Sequence, residues 1–252
     1  MPIHYSRKLT GRKRSANANR QLGLVLAFVA GAANAGGFLA VSQYTSHMTG
    51  IVSAMADHLA LGEFRAYLTG LGALLSFIGG AACSAFLVNW GRQHRLHSEF
   101  ALPLMLEASL LLCFGFLGEQ LSHIAGLFVP MTVMLLSFIM GLQNALVTKI
   151  SHSEIRTTHV TGLVTDIGIE MGKAMYGLTT QPPNRLPVQA NGPRLQILLL
   201  LAMSFFLGGV LGALGFKYLG YVATVPLALL LILLGSVPAI DDMSHWFRRA
   251  HP

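Results

Sequence analysis

Long apolar runs separated by short polar segments restrict what this chain can fold into more than any other feature. A helix that crosses a bilayer needs about 20 mostly apolar residues, and several runs here reach that length. Only 11% of the residues are charged and 53% are hydrophobic, whereas a soluble domain carries about 25% charged residues. The sequence therefore predicts an all-α integral membrane protein in contact with the lipid bilayer. Its six expected spans are 22–41, 66–90, 100–117, 124–147, 195–218 and 221–237.

A nine-residue polar pattern occurs twice between these runs. Residues 45–53 read TSHMTGIVS, and residues 157–165 read TTHVTGLVT. A G-x-x-N-A segment precedes each copy, at 31–35 and 141–145. Two weaker matches follow in the same order, FIGG (77–80) with FLGG (206–209) and LPL (102–104) with VPL (225–227).

The order of these matches indicates a duplicated unit of three spans, at 21–120 and 121–240. Three is an odd number, so the second unit should enter the membrane in the opposite orientation. We predict two inverted three-helix repeats, each with a short interrupted or re-entrant helix after its first span. The small residues at 79–80 and 208–209 could pack the two halves together or join two protomers as a homo-oligomer.

Basic residues are concentrated in the segments that six spans would place on one side. Lys and Arg accumulate in cytoplasmic loops, so both termini are predicted to be cytoplasmic, as is the polar loop at 148–194. The net charge of +7 then needs no nucleic acid, since no aromatic residues interleave with the basic tail as single-strand binding would require. The predicted inner segments are 1–20, 91–99, 148–194 and 241–252.

The repeated polar segments contain the candidate substrate-binding groups. Ser and Thr hydroxyls can cap a helix start, glycine allows close backbone approach, and imidazole can donate to a solute or carry a proton near neutral pH. The alternative is that each motif only caps and packs a broken helix. The candidate residues are Asn34, Thr45, His47, Thr49, Gly50, Asn144, Thr157, His159, Thr161 and Gly162.

Glu107 lies inside the third expected span and is the candidate proton-coupling residue. Ionisable side chains are expensive in a membrane and are therefore functional candidates, and the repeat counterpart of Glu107 is Leu230. The alternative is that Glu107, close to the cytoplasmic end, snorkels to water. No pair of His or Cys has convincing metal-ligand spacing, and no cofactor is expected.

These features favour a secondary transporter or permease for a small polar or anionic solute, with its site between the two repeats. The chain has no phosphate-binding loop of the G-x-x-x-x-G-K-[ST] type, which argues against ATP-driven transport. A non-catalytic membrane scaffold is the first alternative. An enzyme acting on a lipid-linked substrate is the second, although no catalytic signature is visible in its only candidate cluster: His152, Glu154, His159, Asp166 and Glu170. Asp166 and Glu170 could equally form the exposed face of a helix on which Lys173 pairs with Glu170.

The segments Ser46-His47-Met48-Thr49-Gly50 and 141–145 carry a family resemblance. Together with the first span they resemble the YoaK-like bacterial inner-membrane proteins, which contain a domain of unknown function, DUF1275. The resemblance covers residues 20–240 and implies a bacterial inner-membrane location and six spans, but no substrate. Ile51 departs from the pattern, since many members have Asn after Thr-Gly.

Overall fold

A computed structural model describes residues 16–94, 96, 98–121, 125–150, 158–177 and 188–250. All regular structure in these ranges is helical. The elements are α1 (Ala16–Val41), α2 (Met48–Ala60), α3 (Phe64–Gln93), α4 (Ala101–Leu121), α5 (Ala125–Ile150), α6 (Val160–Gly177), α7 (Gly192–Leu219), a 3-10 turn (Gly220–Ala223) and α8 (Thr224–Ala250).

Five described stretches are long and apolar enough to cross a membrane. The last of them has 45 residues and contains α7, the 3-10 turn and the first part of α8. The apolar side chains on the outer faces of α3 and α7 are largely exposed, as at Phe86 and Phe206. Lipid accommodates such surfaces, whereas water would make them a large aggregation liability. The described residues are therefore all-helical, as predicted, and their long apolar helices indicate a multi-pass membrane protein. The stretches are Asn17–Val41, Phe64–Gln93, Ala101–Glu119, Val129–Ile150 and Gly192–Ser236.

The interior of the bundle is built around α1 and α5, the two helices that precede the polar motifs. Leu22, Leu26, Leu136 and Ile139 are completely buried. The contacts of α5 reach α1, α3 and α4. Because these two helices are the most buried of the five candidate spans, polar groups on them can be placed inside the molecule.

The closest helix crossings are made by glycines that meet backbone carbonyls. Where α1 crosses α7, Gly31 lies against the carbonyl oxygen of Phe205, and Gly208 lies against that of Phe28. Where α3 crosses α5, Gly80 lies against the carbonyl of Phe138, and Gly141 lies against that of Phe77. A β-carbon at any of these glycines would overlap the oxygen, so small residues are required, as at many membrane helix interfaces.

These four sites share the pattern F-x-x-G, which changes the repeat alignment. The sequence matched 77–80 with 206–209, but the packing matches 77–80 with 205–208, one residue earlier. Gly80 and Gly208 also join helices from different halves of the same chain. The sequence left open whether these glycines pack the two halves together or join two protomers. In the described residues they pack the two halves together.

Contacts along the helices give their relative directions. Ser204 Oγ bonds to the Leu24 carbonyl (2.7 Å), and Gly212 packs on Ala32. Since 204 − 24 and 212 − 32 are both 180, α1 and α7 are parallel.

The α3 and α5 helices are also parallel. Gly72 packs near Met134, and Lys149 Nζ bonds to Asn89 Oδ1 (3.0 Å), so residue numbers increase together along both helices.

Two other pairs are antiparallel. Gln143 Nε2 donates to the Leu26 carbonyl (3.2 Å), and Asn19 Nδ2 donates to the Ile150 carbonyl (3.1 Å); since 26 + 143 and 19 + 150 are both 169, α1 runs antiparallel to α5. In the same way Gly115 packs on Thr224, and Gly235 packs near Met105. The α4 helix therefore runs antiparallel to α8.

Short helices follow α1 and α5, as the sequence predicted for the first motif. The chain leaves α1 through Ser42, whose φ of 54° is rare for a residue other than glycine, and α2 then begins at Met48. α2 packs on α3, and α6 packs on α7. Pro193 falls within the polar loop predicted at 148–194, but it occupies the first turn of α7, where its missing N–H removes no helical hydrogen bond. Pro182, Pro183 and Pro187 lie outside the described residues.

Candidate functional site

The second hydroxyl of each motif bonds to the asparagine of the preceding G-x-x-N-A segment. Ser46 Oγ donates to Asn34 Oδ1 at 2.9 Å, and Thr158 Oγ1 donates to Asn144 Oδ1 at 2.6 Å. Each bond fastens the polar segment to the helix that it has just left. The two sequence elements that recur together are therefore joined physically in both copies.

The histidine of each motif lies over the glycine three residues later. A β-carbon on Gly50 would come within 2.5 Å of His47 Nδ1, and one on Gly162 would overlap His159 Nδ1. Glycine had been expected to admit a neighbouring backbone, but the space that it leaves is filled by the imidazole of its own motif. The glycine thus sets the position of the ring.

The hydroxyl caps expected at the helix start are not found at α2. His47 occupies the cap position and makes no side-chain capping bond. Its carbonyl accepts the amide of Ile51, and the His159 carbonyl accepts the amide of Leu163, both at 3.1 Å. The capping prediction is wrong at α2 because Ser46 is already bonded to Asn34.

Thr49 and Thr161 are exposed on the first turns of α2 and α6, beside the equally exposed His47 and His159. Thr45 is completely buried, and its hydroxyl has no hydrogen-bond partner among the described residues. Its counterpart, Thr157, lies outside those residues.

The two amides lie at different levels along the antiparallel helices α1 and α5. The antiparallel register, in which residue numbers sum to 169, places Asn34 level with residue 135 of α5. Asn144 is nine residues further along, which corresponds to about 13 Å at a rise of 1.5 Å per residue. The copies therefore form two polar segments at different depths along this axis.

An open groove lies beside the first motif. It has a volume of about 560 Å³ and runs between the end of α1, one face of α2 and the beginning of α3. His47, Gly50 and His58 share the lining face of α2. His58 Nδ1 is 2.7 Å from Glu63 Oε2. His58 was not among the residues predicted for the site, since its role depends on the neighbouring helix.

Glu107 is buried in the protein interior rather than directed to water. Its exposed fraction is 0%, and neither carboxyl oxygen has a hydrogen-bond partner among the described residues. It shares the buried face of α4 with Phe114, whose ring packs on Phe216 of α7. The snorkelling alternative is therefore wrong, because this face of α4 packs on other helices.

The acidic residues of α6 form a network with the start of α7. Glu170 accepts the Asn191 amide (2.8 Å) and pairs with Lys173 (2.9 Å), and Arg194 pairs with Asp166 at 3.2 Å. The Asn191 hydrogen bond and then the Lys173 ammonium hold the pKa of Glu170 below its usual value.

The predicted pairing of Lys173 with Glu170 is confirmed, but the predicted exposure of Glu170 is wrong, since this side chain is only 1% exposed. The network fastens α6 to α7, which makes these carboxylates poor candidates for acid–base catalysis. His152 and Glu154 of the proposed enzyme cluster lie outside the described residues.

A family model described as "Protein of unknown function (DUF1275)" matches residues 22–237. The chain belongs to the DUF1275 family. The resemblance predicted from the polar motifs is thereby confirmed. No curated protein and no solved structure matches the chain.

Proposed function

We propose that this protein is a secondary transporter or permease for a small polar or anionic solute in a bacterial inner membrane. It would cross the membrane six times as two inverted three-helix repeats, with both termini in the cytoplasm. The observation that carries the proposal is the matched geometry of the two motifs: the hydroxyl–amide bond and the imidazole over glycine occur in both. Paired polar segments in inverted repeats are typical of secondary transporters.

The directions of the helices support the inverted arrangement. α1 and α5 hold equivalent places in the proposed repeats and are antiparallel, as are the equivalent α4 and α8. α3 is parallel to α5, and α7 is parallel to α1, so α3 and α7 also run in opposite directions. All three equivalent pairs of long helices are therefore reversed, as inversion requires.

The last apolar stretch supports a sixth crossing. Its 45 residues would extend about 68 Å as one helix, roughly twice a bilayer's 30 Å hydrocarbon thickness. Gly220 interrupts it with a φ of 62°. α7 and α8 can then cross separately, with their connecting turn at the opposite surface.

The distribution of charge supports the orientation. Arg92 and Lys149 lie at the ends of the parallel helices α3 and α5, and Arg194 lies at the beginning of α7. In the proposed arrangement all three face the cytoplasm, as the positive-inside rule predicts. Arg65 and Lys217 would be the basic residues on the other side.

The glycine crossings suggest which parts move during transport. Each closely packed pair, α1–α7 and α3–α5, combines one helix from each repeat. The chain passes from one pair to the other in the polar segments after α1 and α5, where Ser46 and Thr158 bond to asparagine. We infer that the pairs rock against each other as rigid units and that these segments are the joints.

Glu107 is the proposed proton-coupling residue. A buried carboxyl without a partner among the described residues is costly in its ionised form, so its occupancy by a proton should depend on the conformation around it. The counterpart Leu230 cannot carry a proton. One repeat only would then contribute the coupling group.

Thermal stability of the detergent-purified protein against a panel of small anions and zwitterions tests for a ligand, and proteoliposome uptake of any hit tests transport. The His47→Ala/His159→Ala variant should fold and lose the ligand response. His94→Ala is the control, since His94 packs on Trp90 at the end of α3. Uptake that survives the double substitution would contradict the role of the histidines.

A non-catalytic scaffold is the second candidate. It is favoured by the fact that Ser46 and Thr158 already have protein partners. For a scaffold, no solute would change the melting temperature, and the double histidine variant would itself melt much lower than the wild type.

A further inference from the structure

The groove beside the first motif has more potential ligand contacts than the motif alone provides. Its volume of about 560 Å³ is within the range of small-molecule sites. The end of α1 contributes Ser42, Gln43 and Tyr44, and α2 contributes His47 and His58. The Tyr44 ring is held by stacking on Phe38, with 4.7 Å between centroids.

The polar lining is suited to a negatively charged group. It contains two imidazoles, a phenol, a hydroxyl and an amide that can all donate hydrogen bonds, and it contains no carboxylate. The nearest acidic partner, Glu63, is engaged by His58 Nδ1. When His58 is protonated, its Nε2 also becomes a donor that can bind a second anion.

Apart from Thr69, the remaining lining is apolar and limits the size of the ligand. Val41, Ile51 and Met55 contribute aliphatic surface, and the floor closes where Met55 packs on Gly70. Thr69 at the rim donates its hydroxyl to the Arg65 carbonyl of its own helix. A ligand with one charged end and a short apolar body would match both parts.

We propose that this groove binds a small monocarboxylate, with its carboxylate at His58 and its alkyl part over Met55 and Ile51, which lie between His58 and His47 on the lining face of α2. The statement that this ligand is the transported solute rests on the proposed function. The statement that the groove binds it stands independently. The titratable groups around His58 are His47 and Tyr44 in the lining, Glu63 at the start of α3, and the exposed Asp57 on α2. Arg65 lines an adjacent cavity of about 400 Å³, which shares Thr69 with the groove.

The proposal predicts binding that depends on the charge of the ligand. His58 Nδ1 is engaged by Glu63, so the ligand would meet Nε2, and a donor bonds more strongly to a carboxylate than to a neutral oxygen. An alcohol of the same length lacks the carboxylate and should not compete.

The test is titration of the full-length protein in detergent with acetate, butyrate, hexanoate and butanol. We expect butyrate to bind at least tenfold more tightly than butanol and His58→Ala to lose that difference. His94→Ala should bind like the wild type. Equal binding of butyrate and butanol, unchanged butyrate binding in His58→Ala, or the same loss in His94→Ala would overturn the proposal.

A folding defect is separated from a binding defect by Tyr44→Phe, which keeps the ring on Phe38 and removes only the hydroxyl. It should weaken butyrate binding severalfold without changing the melting temperature; unchanged binding would remove Tyr44 from the site. Butyrate binding without uptake into proteoliposomes would support the groove and contradict transport. Uptake of another solute without carboxylate binding would support transport and contradict the groove as a carboxylate site.

Discussion

Ser46 donates a 2.9 Å hydrogen bond to the side-chain oxygen of Asn34, twelve residues earlier in the chain. The same bond joins Thr158 to Asn144 in the second copy. This relationship explains why the G-x-x-N-A segment and the hydroxyl-histidine segment recur together: the first supplies the acceptor, and the second supplies the donor. The histidine that follows is then placed at the start of the short helix.

The bond should be measurable as an energetic coupling. Ser46→Ala and Asn34→Ala should each lower the stability by about 1 kcal/mol, because each leaves a partly buried group without its partner. The double variant should lose less than the sum of the two. Thermal unfolding in detergent checks this, with Ser53→Ala on the exposed face of α2 as the control. Strict additivity would contradict the coupling.

The glycine crossings should tolerate no added methyl group. Gly31→Ala and Gly141→Ala force a β-carbon against a backbone carbonyl, and overpacking of this kind costs about 1–3 kcal/mol. Gly168→Ala is the matched control, because nothing lies within 4 Å of its β-carbon position in α6. It should be neutral or stabilising by up to about 1 kcal/mol, since alanine favours helix. The measurement is the melting temperature of each variant. An equal change in all three variants would contradict the special packing role of the glycine crossings.

Gly50→Ala should displace the His47 ring without unfolding the protein. The new methyl group would lie 2.5 Å from Nδ1, and a side chain at an exposed helix start can move at little cost. We expect a small change in melting temperature together with a loss of ligand response similar to that of His47→Ala. Ligand binding that remains at the wild-type level would show that the imidazole position is unimportant.

Replacing Glu107 by leucine should separate stability from function. The carboxyl oxygens have no partner among the described residues, and removing a buried unsatisfied polar group can stabilise a protein by about 1–3 kcal/mol. Leu230, the repeat counterpart, shows that leucine suits an equivalent position. Glu107→Leu should therefore melt higher and lose proton-coupled uptake in proteoliposomes. A lower melting temperature would indicate that the carboxyl has a structural role.

Acid should release α6 from α7. The Asn191 amide and Lys173 lower the folded-state pKa of Glu170, so the carboxylate stabilises the fold above its unfolded pKa of about 4.3. This contribution is lost as the pH falls through the lower, folded-state value. Hydrogen exchange of α6 amides should increase in that acidic window for the wild type. Glu170→Gln should show no such step, whereas the exposed Asp57→Asn should retain it.

Several features could be predicted from the residues alone. The length and apolarity of the runs determined the helical membrane class, because a bilayer leaves few alternatives for an unpaired backbone. The duplicated motifs, the short helix near Thr49 and the family followed from patterns that are local in sequence. These inferences needed no knowledge of which helices are neighbours.

Other features depended on neighbours and appeared only in the tertiary structure. The packing role of the F-x-x-G pattern can be recognised only when the backbone opposite each glycine is known. The one-residue error in the repeat alignment arose because the sequences of apolar helices resemble one another. Local pattern could not show that Ser46 is used by Asn34 rather than by a helix cap. It also could not show that Glu107 faces protein, that Glu170 is enclosed by Lys173 and Asn191, or that His58 shares a groove with His47. In each case the physical reason is the same: the role of a polar or small residue is determined by the group that packing brings opposite it.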